Sequence, residues 1–354
     1  MKKTLRWFGS GVDPVTLDKI RQVPDIYGVV TTLYDKQPED EWKKEELLVL
    51  KKQVEDAGLV IAGIESVNIP DAIKTASKDR DMCIERYIGS IKAVSEAGID
   101  TICYNFMAVF DWTRSDLTKP REDGSTVLSY DHAVIGQIDP DNLIDAMLNN
   151  AAGCKLPGWE PERLAKIKDL FEMYSGIDEN ALCANLEYFL KAIMPTCEKY
   201  GVKMAMHPDD PGWSVFGLPR IMKNKQDLLR LIKLVDNPHN GVTLCSGSLG
   251  TNPDNDIPDI IRSLKGRIHF AHVRNIRHNS PGNFEESAHI SSDGSLDMYE
   301  IMKALHDIKF DGLLRPDHGR QIWGEVSVPG YGLYDRAIGL SYLSGLWEAI
   351  QKSA

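Results

Sequence analysis

The feature that most restricts this chain is an alternation. Short apolar runs of strand length recur along it, and stretches with helical spacing separate most of them. The runs are Leu5–Gly9, Ile26–Leu33, Leu59–Ile64, Thr101–Asn105, Val202–Met206, Gly241–Cys245, Ile268–Val273 and Gly312–Pro316. Several are apolar along their whole length rather than at every second residue, which is how a strand reads when both of its faces are covered. Predicted helices cover Trp42–Ala57, Asp79–Ala97, Asn180–Tyr200, Lys225–Val235, Ile257–Leu264 and Asp297–Ile308, and Tyr334–Lys352 closes the chain. Gly58, Gly98 and Gly201 stand directly after three of these helices as stop signals. Apolar strands alternating with helices make a parallel sheet covered by helices. Eight such strands predict a closed (β/α)8 barrel. An open doubly wound sheet fits less well, because no strand is followed by a G-x-G-x-x-G phosphate loop.

The alternation breaks once. From Phe106 to about Asp178 there is no clean pattern, and the segment reads as a long insertion (about 106–178) after the fourth strand. It is expected to be partly helical near Pro140–Asn150 and Glu162–Met173, with a turn at Asp123-Gly124 and an aromatic-glycine cluster at Leu156-Pro157-Gly158-Trp159. A structureless loop of that length is unusual unless it is functional. No linker, low-complexity segment or short repeat is visible, so residues 1–354 are expected to form one domain.

Composition narrows the function classes. The formal net charge is −11 with no basic stripe, which argues against a nucleic-acid surface. It leaves room for an anionic small substrate in a local cationic pocket. No run approaches the ~18–20 apolar residues of a membrane helix. Behind Lys2 and Lys3, Arg6 and Gly9 interrupt any apolar stretch, so no secretory signal is expected. The six cysteines contain no C-x-x-C pair, and a reduced, cytoplasmic protein is the simple expectation.

In a barrel of parallel strands, chemistry is done at the C-terminal strand ends. His207 ends the fifth strand, Cys245 the sixth, His272 the seventh and Asp317 the eighth. Consecutive strands thus deliver four metal-type ligands to one rim, each strand needing to offer only one inward residue. Imidazole, thiolate and carboxylate together suit Zn²⁺, Fe²⁺ or Mn²⁺, and a thiolate argues against Mg²⁺ and Ca²⁺. Each residue alone has an ordinary reading: a strand-end histidine often only bonds its neighbours, and a lone cysteine is usually a small buried hydrophobe. The joint placement carries the metal reading. Of the other histidines, His132 falls in the insertion, His239 at the opposite barrel end, His269 on the other strand face and His306 in a helix. His278 and His289 follow the seventh strand on the catalytic side. The stretch Leu314–Glu325 gathers Arg315, Asp317, His318, Arg320 and Glu325 around the eighth strand end. Its bland reading is a salt-bridged loop.

At these residues the chain resembles the mannonate dehydratase family, along nearly its whole length. The likeness is carried by Arg6-Trp7-Phe8-Gly9, Cys103-Tyr104-Asn105-Phe106-Met107, Phe110-Asp111-Trp112-Thr113-Arg114 and His207-Pro208-Asp209-Asp210-Pro211. It continues through Cys245-Ser246-Gly247-Ser248, His272-Val273-Arg274-Asn275, Ser291-Ser292-Asp293-Gly294-Ser295, the run Arg315–Glu325, and Pro329-Gly330-Tyr331-Gly332-Leu333-Tyr334-Asp335-Arg336. One departure is Met107-Ala108, where the family usually has Met-Pro. The resemblance implies a xylose-isomerase-like TIM barrel and the dehydration of D-mannonate to 2-keto-3-deoxy-D-gluconate in hexuronate (glucuronate) breakdown. It implies one divalent metal, Mn²⁺ or Fe²⁺, on His207, Cys245, His272 and Asp317, and a homo-oligomer (dimer or higher) for which the insertion is a candidate interface.

A β-elimination needs a base at C2 and an acid at the C3 oxygen. His318, next to Asp317, and Tyr331, between two glycines, are the expected pair, with the roles open and Tyr334 as the alternative tyrosine. Arg6, Asn105, Arg274, Arg320 and Tyr334 are expected substrate contacts, since arginine pairs carboxylates well. Competing readings are a sugar isomerase on the same barrel, a phosphodiesterase of the endonuclease IV type, and a non-catalytic sugar-acid-binding protein. A pure binder would have no need of His318 together with Tyr331.

Overall fold

The computed structural model describes residues 1–137 and 167–353. Eight parallel strands close into a barrel: β1 (Lys2–Arg6), β2 (Gly28–Thr31), β3 (Ile61–Glu65), β4 (Thr101–Tyr104), β7 (Lys203–Met206), β8 (Asn240–Cys245), β9 (Ile268–His272) and β12 (Leu313–Arg315). Going round, β1 pairs with β2 on one side and β12 on the other, and β12 pairs with β9, as the expected closure requires. Most of these strands are buried from end to end, β8 and β9 completely, which is why they read as unbroken apolar runs. Helices cover the outside and share one large core with the strands' outer faces. Gly98 and Gly201 follow their helices at positive φ, 82° and 70°, where a side chain would be strained.

The barrel interior is layered. Val30, Ala62, Cys103, Ala205, Phe270 and Leu313 form a small apolar plug. Side chains alternate along a strand, so the residue two positions on points inward again, nearer the C-terminal rim. Cys103 is followed in this way by Asn105, Ala205 by His207, Phe270 by His272, and Leu313 by Arg315. A polar layer therefore sits directly above the plug, and the period of two fixes which residues compose it.

Two parts of the sequence reading are corrected. The first strand is Lys2–Arg6 and not Leu5–Gly9. Its ladder to β12 begins at Lys2, and the chain turns away at Gly9, which takes φ 92°. The insertion, read from the sequence as partly helical, also holds two strands that reading did not give. Besides helices at His132–Gln137 and Ile167–Met173, it contributes β5 (Asp116–Pro120) and β6 (Thr126–Tyr130), joined through the Asp123-Gly124 turn. They combine with β10 (Ile276–Ser280) and β11 (Asn283–Glu286), a hairpin after β9, into an antiparallel sheet ordered β10-β11-β6-β5. The expected helix over Pro140–Asn150 and the cluster Leu156–Trp159 lie outside the described residues. No described helix is long and apolar enough to cross a membrane.

This accessory sheet has its own small core of Tyr130, Ile135, Val215, Ile276 and Phe284, with the Tyr130 and Phe284 rings stacked at 5.4 Å. Phe284→Ala is expected to cost about 3–5 kcal/mol there. Hydrogen exchange should accelerate in Thr126–Tyr130 and Asn283–Glu286 while the barrel strands keep their protection. Equal acceleration throughout the barrel would contradict a separate core.

Candidate active site

The four strand-end residues come together. His207 lies one residue beyond β7, Cys245 and His272 are the last residues of β8 and β9, and Asp317 lies two beyond β12. Ligand atoms of His207, Cys245 and His272 all lie within 4.8 Å of one another. Asp317 Oδ2 is 3.5 Å from Cys245 Sγ and 3.9 Å from His272 Nδ1. Asp317 takes φ 61°, a left-handed conformation that aspartate adopts more readily than most residues.

The chemistry of these donors fits a divalent cation. His207 Nδ1 is 2.7 Å from the Pro208 carbonyl, so Nδ1 carries the proton and Nε2 keeps its lone pair. Burial lowers both His207 and His272, whose imidazoles are therefore neutral as ligation requires. His272 Nε2 and Glu65 Oε2 are buried, have no hydrogen-bond partner among the described residues and lie 3.6 Å apart. Metal-binding histidines usually offer their second nitrogen to such a carboxylate. Burial would raise Asp317, but Arg315 and His318 hold it well below the usual carboxylate range. Burial pushes the Cys245 thiol up to about 12, and a cation beside Sγ would reverse that by its charge. Ser248 already donates to Sγ from its hydroxyl at 3.0 Å and its backbone N–H at 3.4 Å. A second trio, Glu65, Cys103 and His272, is also close enough to hold an ion. Arg6 and Arg315 pair with Glu65 at 3.0 and 2.7 Å, as Arg315 and Arg274 pair with Asp317 at 2.8 and 3.0 Å, so guanidinium groups stand beside both sets.

His318 and Tyr331 stand beside this cluster, with His318 Nε2 2.9 Å from the Tyr331 hydroxyl. Burial pushes Tyr331 up to about 12 against the pull of Arg315 and Arg6. Both line one pocket with Arg6, Asn105, Glu65 and Arg315. Three expected substrate contacts are not brought to it. Arg274 is fully buried, its guanidinium committed to Asp210, Glu286 and Asp317. Arg320 pairs with Asp335 at 2.9 Å and Asp123 at 3.1 Å. Tyr334 is 43% exposed and packs on Trp323. His278 and His289 bond the carbonyls of Gly250 and Pro316 and do not line the pocket.

Sequence reasoning missed Glu65 and Arg315 as site residues; Arg315 follows Leu313 in the inward alternation, but Glu65 stands three residues beyond the plug residue Ala62, past a register shift between β2 and β3, so a period of two does not find it. It also missed Trp112 and Asp210 in the pocket wall. Trp112 lies against the His318 ring at a centroid distance of 5.8 Å.

Fold and rim together define a class: a (β/α)8 barrel with a histidine–cysteine–carboxylate cluster and an adjacent histidine–tyrosine pair at the C-terminal strand ends. A xylose isomerase domain protein from Planctomyces limnophilus shares the barrel at a TM-score of 0.56 and 13% identity, over 99% of this chain and 98% of its own. The sequence model of the D-mannonate dehydratase (UxuA) family matches residues 1–354, and the chain belongs to that family. It is 63% identical to the mannonate dehydratase of Brachyspira hyodysenteriae over 352 residues, 99% of each chain. The crystal structure of mannonate dehydratase from Streptococcus suis serotype 2 superposes with a TM-score of 0.90 at 44% identity, covering 100% of this chain and 95% of that one.

The buried histidines set an acid limit. Burial lowers His207, His272 and His289 and pushes His269 to about 3, whereas an unfolded histidine takes its proton near 6.5. Below that value the unfolded chain binds more protons than the native one, so stability present above it is lost as pH falls toward the folded values. The urea midpoint of chelator-treated protein is expected to fall steadily from about pH 7.5 to about pH 5.5. A flat midpoint over that range would mean that these imidazoles ionise in place.

Proposed function

We infer that this chain is a hydro-lyase that removes water from D-mannonate to give 2-keto-3-deoxy-D-gluconate, as hexuronate breakdown requires. The observation that supports this best is the His318–Tyr331 hydrogen bond beside the four candidate ligands, in a chain of this family. A mere sugar-acid binder would not need that pair. His207, Cys245, His272 and Asp317 would hold one Mn²⁺ or Fe²⁺. When bound, such an ion supplies Lewis-acid stabilisation for the charge that builds as the proton beside the substrate carboxylate leaves.

The chain's own residues account for the proton movements. Tyr331, pushed up to about 12, is protonated at neutral pH and is the donor. His318 Nε2 is the acceptor. It takes the C2 proton, and the C–H electrons form the C2–C3 double bond. The C3–O bond breaks, and Tyr331 protonates the departing hydroxide to give water. The enol gives up its hydroxyl proton, gains one at C3 and becomes the 2-keto acid. The site is then left with a protonated His318 facing a Tyr331 phenolate, which Arg315 and Arg6 stabilise. At 2.9 Å the proton passes directly between them, and the pair resets without an outside donor. Arg6 and Arg315 are the cations available at the pocket wall for the substrate carboxylate. The same reading takes the protein as one domain with its insertion, working in the cytoplasm as a homo-oligomer, with a sugar acid as its small-molecule partner. The family likeness supports those points.

Metal-loaded protein incubated with D-mannonate is expected to form the 2-keto-3-deoxy acid. A chelator should abolish this, and Mn²⁺ or Fe²⁺ should restore it better than Ca²⁺. Undiminished turnover in metal-free protein, or isomerised sugar instead of a keto-deoxy acid, would overturn the reading. His318→Asn and Tyr331→Phe should each lower kcat by ~10²–10⁴-fold with the metal retained, the usual worth of one positioned proton-transfer group. His318→Asn should also stop exchange of the C2 proton with solvent deuterium. Near-normal turnover in either variant removes that residue from the reaction.

A further inference from the structure

His318 faces the accessory sheet as well as the pocket. Its Nδ1 lies 3.1 Å from Oε1 of Glu286, the last residue of β11. Glu286 is fully buried and lines no part of the pocket. Arg114 Nη2 donates to the same Oε1 at 2.8 Å, and Arg274 Nη1 pairs with it as well. Both arginines also hold Asp210: Arg114 Nη1 reaches Oδ1 at 2.7 Å, and Arg274 Nη2 pairs with Oδ2. Two guanidiniums and two carboxylates thus balance one another away from water. Burial would raise Glu286, but Arg274, His318 and Arg114 bring it down to about 2, so it stays a carboxylate.

We propose that Glu286 is a positioning residue for the elimination, whose Oε1 accepts the Nδ1 proton of His318 and so fixes the tautomer that leaves the Nε2 lone pair facing Tyr331 and the substrate. A neutral imidazole carries one N–H, and an ionised carboxylate has no proton to give. An Nδ1 lone pair 3.1 Å from Oε1 would be repelled, whereas an Nδ1–H is held. Arg274 Nη1 is also 3.1 Å from Nδ1 and has a second N–H, but a lone pair on Nδ1 would still face the Glu286 carboxylate, so the geometry favours the Nδ1–H tautomer. With Nδ1 protonated, the Nε2 lone pair accepts from the Tyr331 hydroxyl at rest and takes the substrate proton during the reaction. The carboxylate then also stabilises the imidazolium that forms, as the aspartate does in a serine-protease triad. The barrel places His318, but the accessory sheet selects which nitrogen works. This assignment rests on His318 being the base of the reaction proposed above.

Two substitutions separate positioning from bulk structural support. In Glu286→Gln, Arg114 and Arg274 should hold the amide with its oxygen at the Oε1 position, so the acceptor for Nδ1–H survives while the charge is lost. Glu286→Leu removes the acceptor. Glu286→Gln is expected to lower the urea midpoint yet keep kcat within about tenfold. Folded Glu286→Leu should lose ~10²–10³ in kcat, with KM and metal content unchanged. Nitrogen-15 histidine spectra of chelator-treated protein, with His318 identified by its absence in His318→Asn, should show the Nδ1–H tautomer in the wild type and in Glu286→Gln. An Nε2–H tautomer in the wild type, or folded Glu286→Leu turning over near the wild-type rate, would overturn the proposal. So would equal loss in both variants with KM and metal content changed. If Glu286→Leu does not fold, the wild-type tautomer still decides. If the wild type does not dehydrate D-mannonate, the reaction fails separately, because the tautomer is read without turnover.

Discussion

The rim of this barrel depends on one buried cation. The Arg315 guanidinium lies between two carboxylates, with Nη2 2.7 Å from Glu65 and 2.8 Å from Asp317. A carboxylate buried without such a partner takes up a proton instead of staying charged. Arg315 therefore keeps Asp317 ionised and fixes its Oδ1, which leaves Oδ2 turned toward Cys245 and His272. It also ties β3 to β12 across the barrel mouth. Removing one partner of such a buried pair costs about 3–5 kcal/mol, so this contact serves both the fold and the site.

A second ionic system stands outside the first. Arg114, Asp210, and Arg274 with Glu286 come from three separate connections of the barrel, and Arg274 Nε joins them to Asp317 at 3.0 Å. A change in the outer system is thereby felt at a candidate ligand on one side and at His318 on the other. The close approach of Arg274 explains one motif residue. A Cβ at Gly247 would fall 2.2 Å from Arg274 Nε, so Cys245-Ser246-Gly247-Ser248 requires glycine at its third place. The same motif supplies Cys245 as candidate ligand and Ser248 as its hydrogen-bond donor, so packing and chemistry constrain the same few residues.

The barrel was legible because its strands are buried on both faces and separated by helices, a signal that is local at every step. The four candidate ligands were legible for the same reason, since a strand end and a period of two place each one. Glu65 does not obey that rule, because the register shift between β2 and β3 puts it three residues beyond the plug residue Ala62. The accessory sheet was not legible. Its strands are short, and its pairing of Phe284 with Tyr130 joins segments far apart in the sequence. Glu286 therefore carried no local sign of its role. Arg274, Arg320 and Tyr334 lie off the pocket for a different reason. A sequence shows a cation or a phenol near a strand end but not the carboxylates that engage it, and Arg320 finds Asp335 only because the chain returns to it.

The central claim is that four successive strand ends hold one divalent ion beside the His318–Tyr331 pair. The most direct measurement is anomalous diffraction at the manganese edge from crystals grown with Mn²⁺. The account expects a single peak per chain, enclosed by His207, Cys245, His272 and Asp317. A peak between Glu65, Cys103 and His272 instead, or no peak at all, would contradict it.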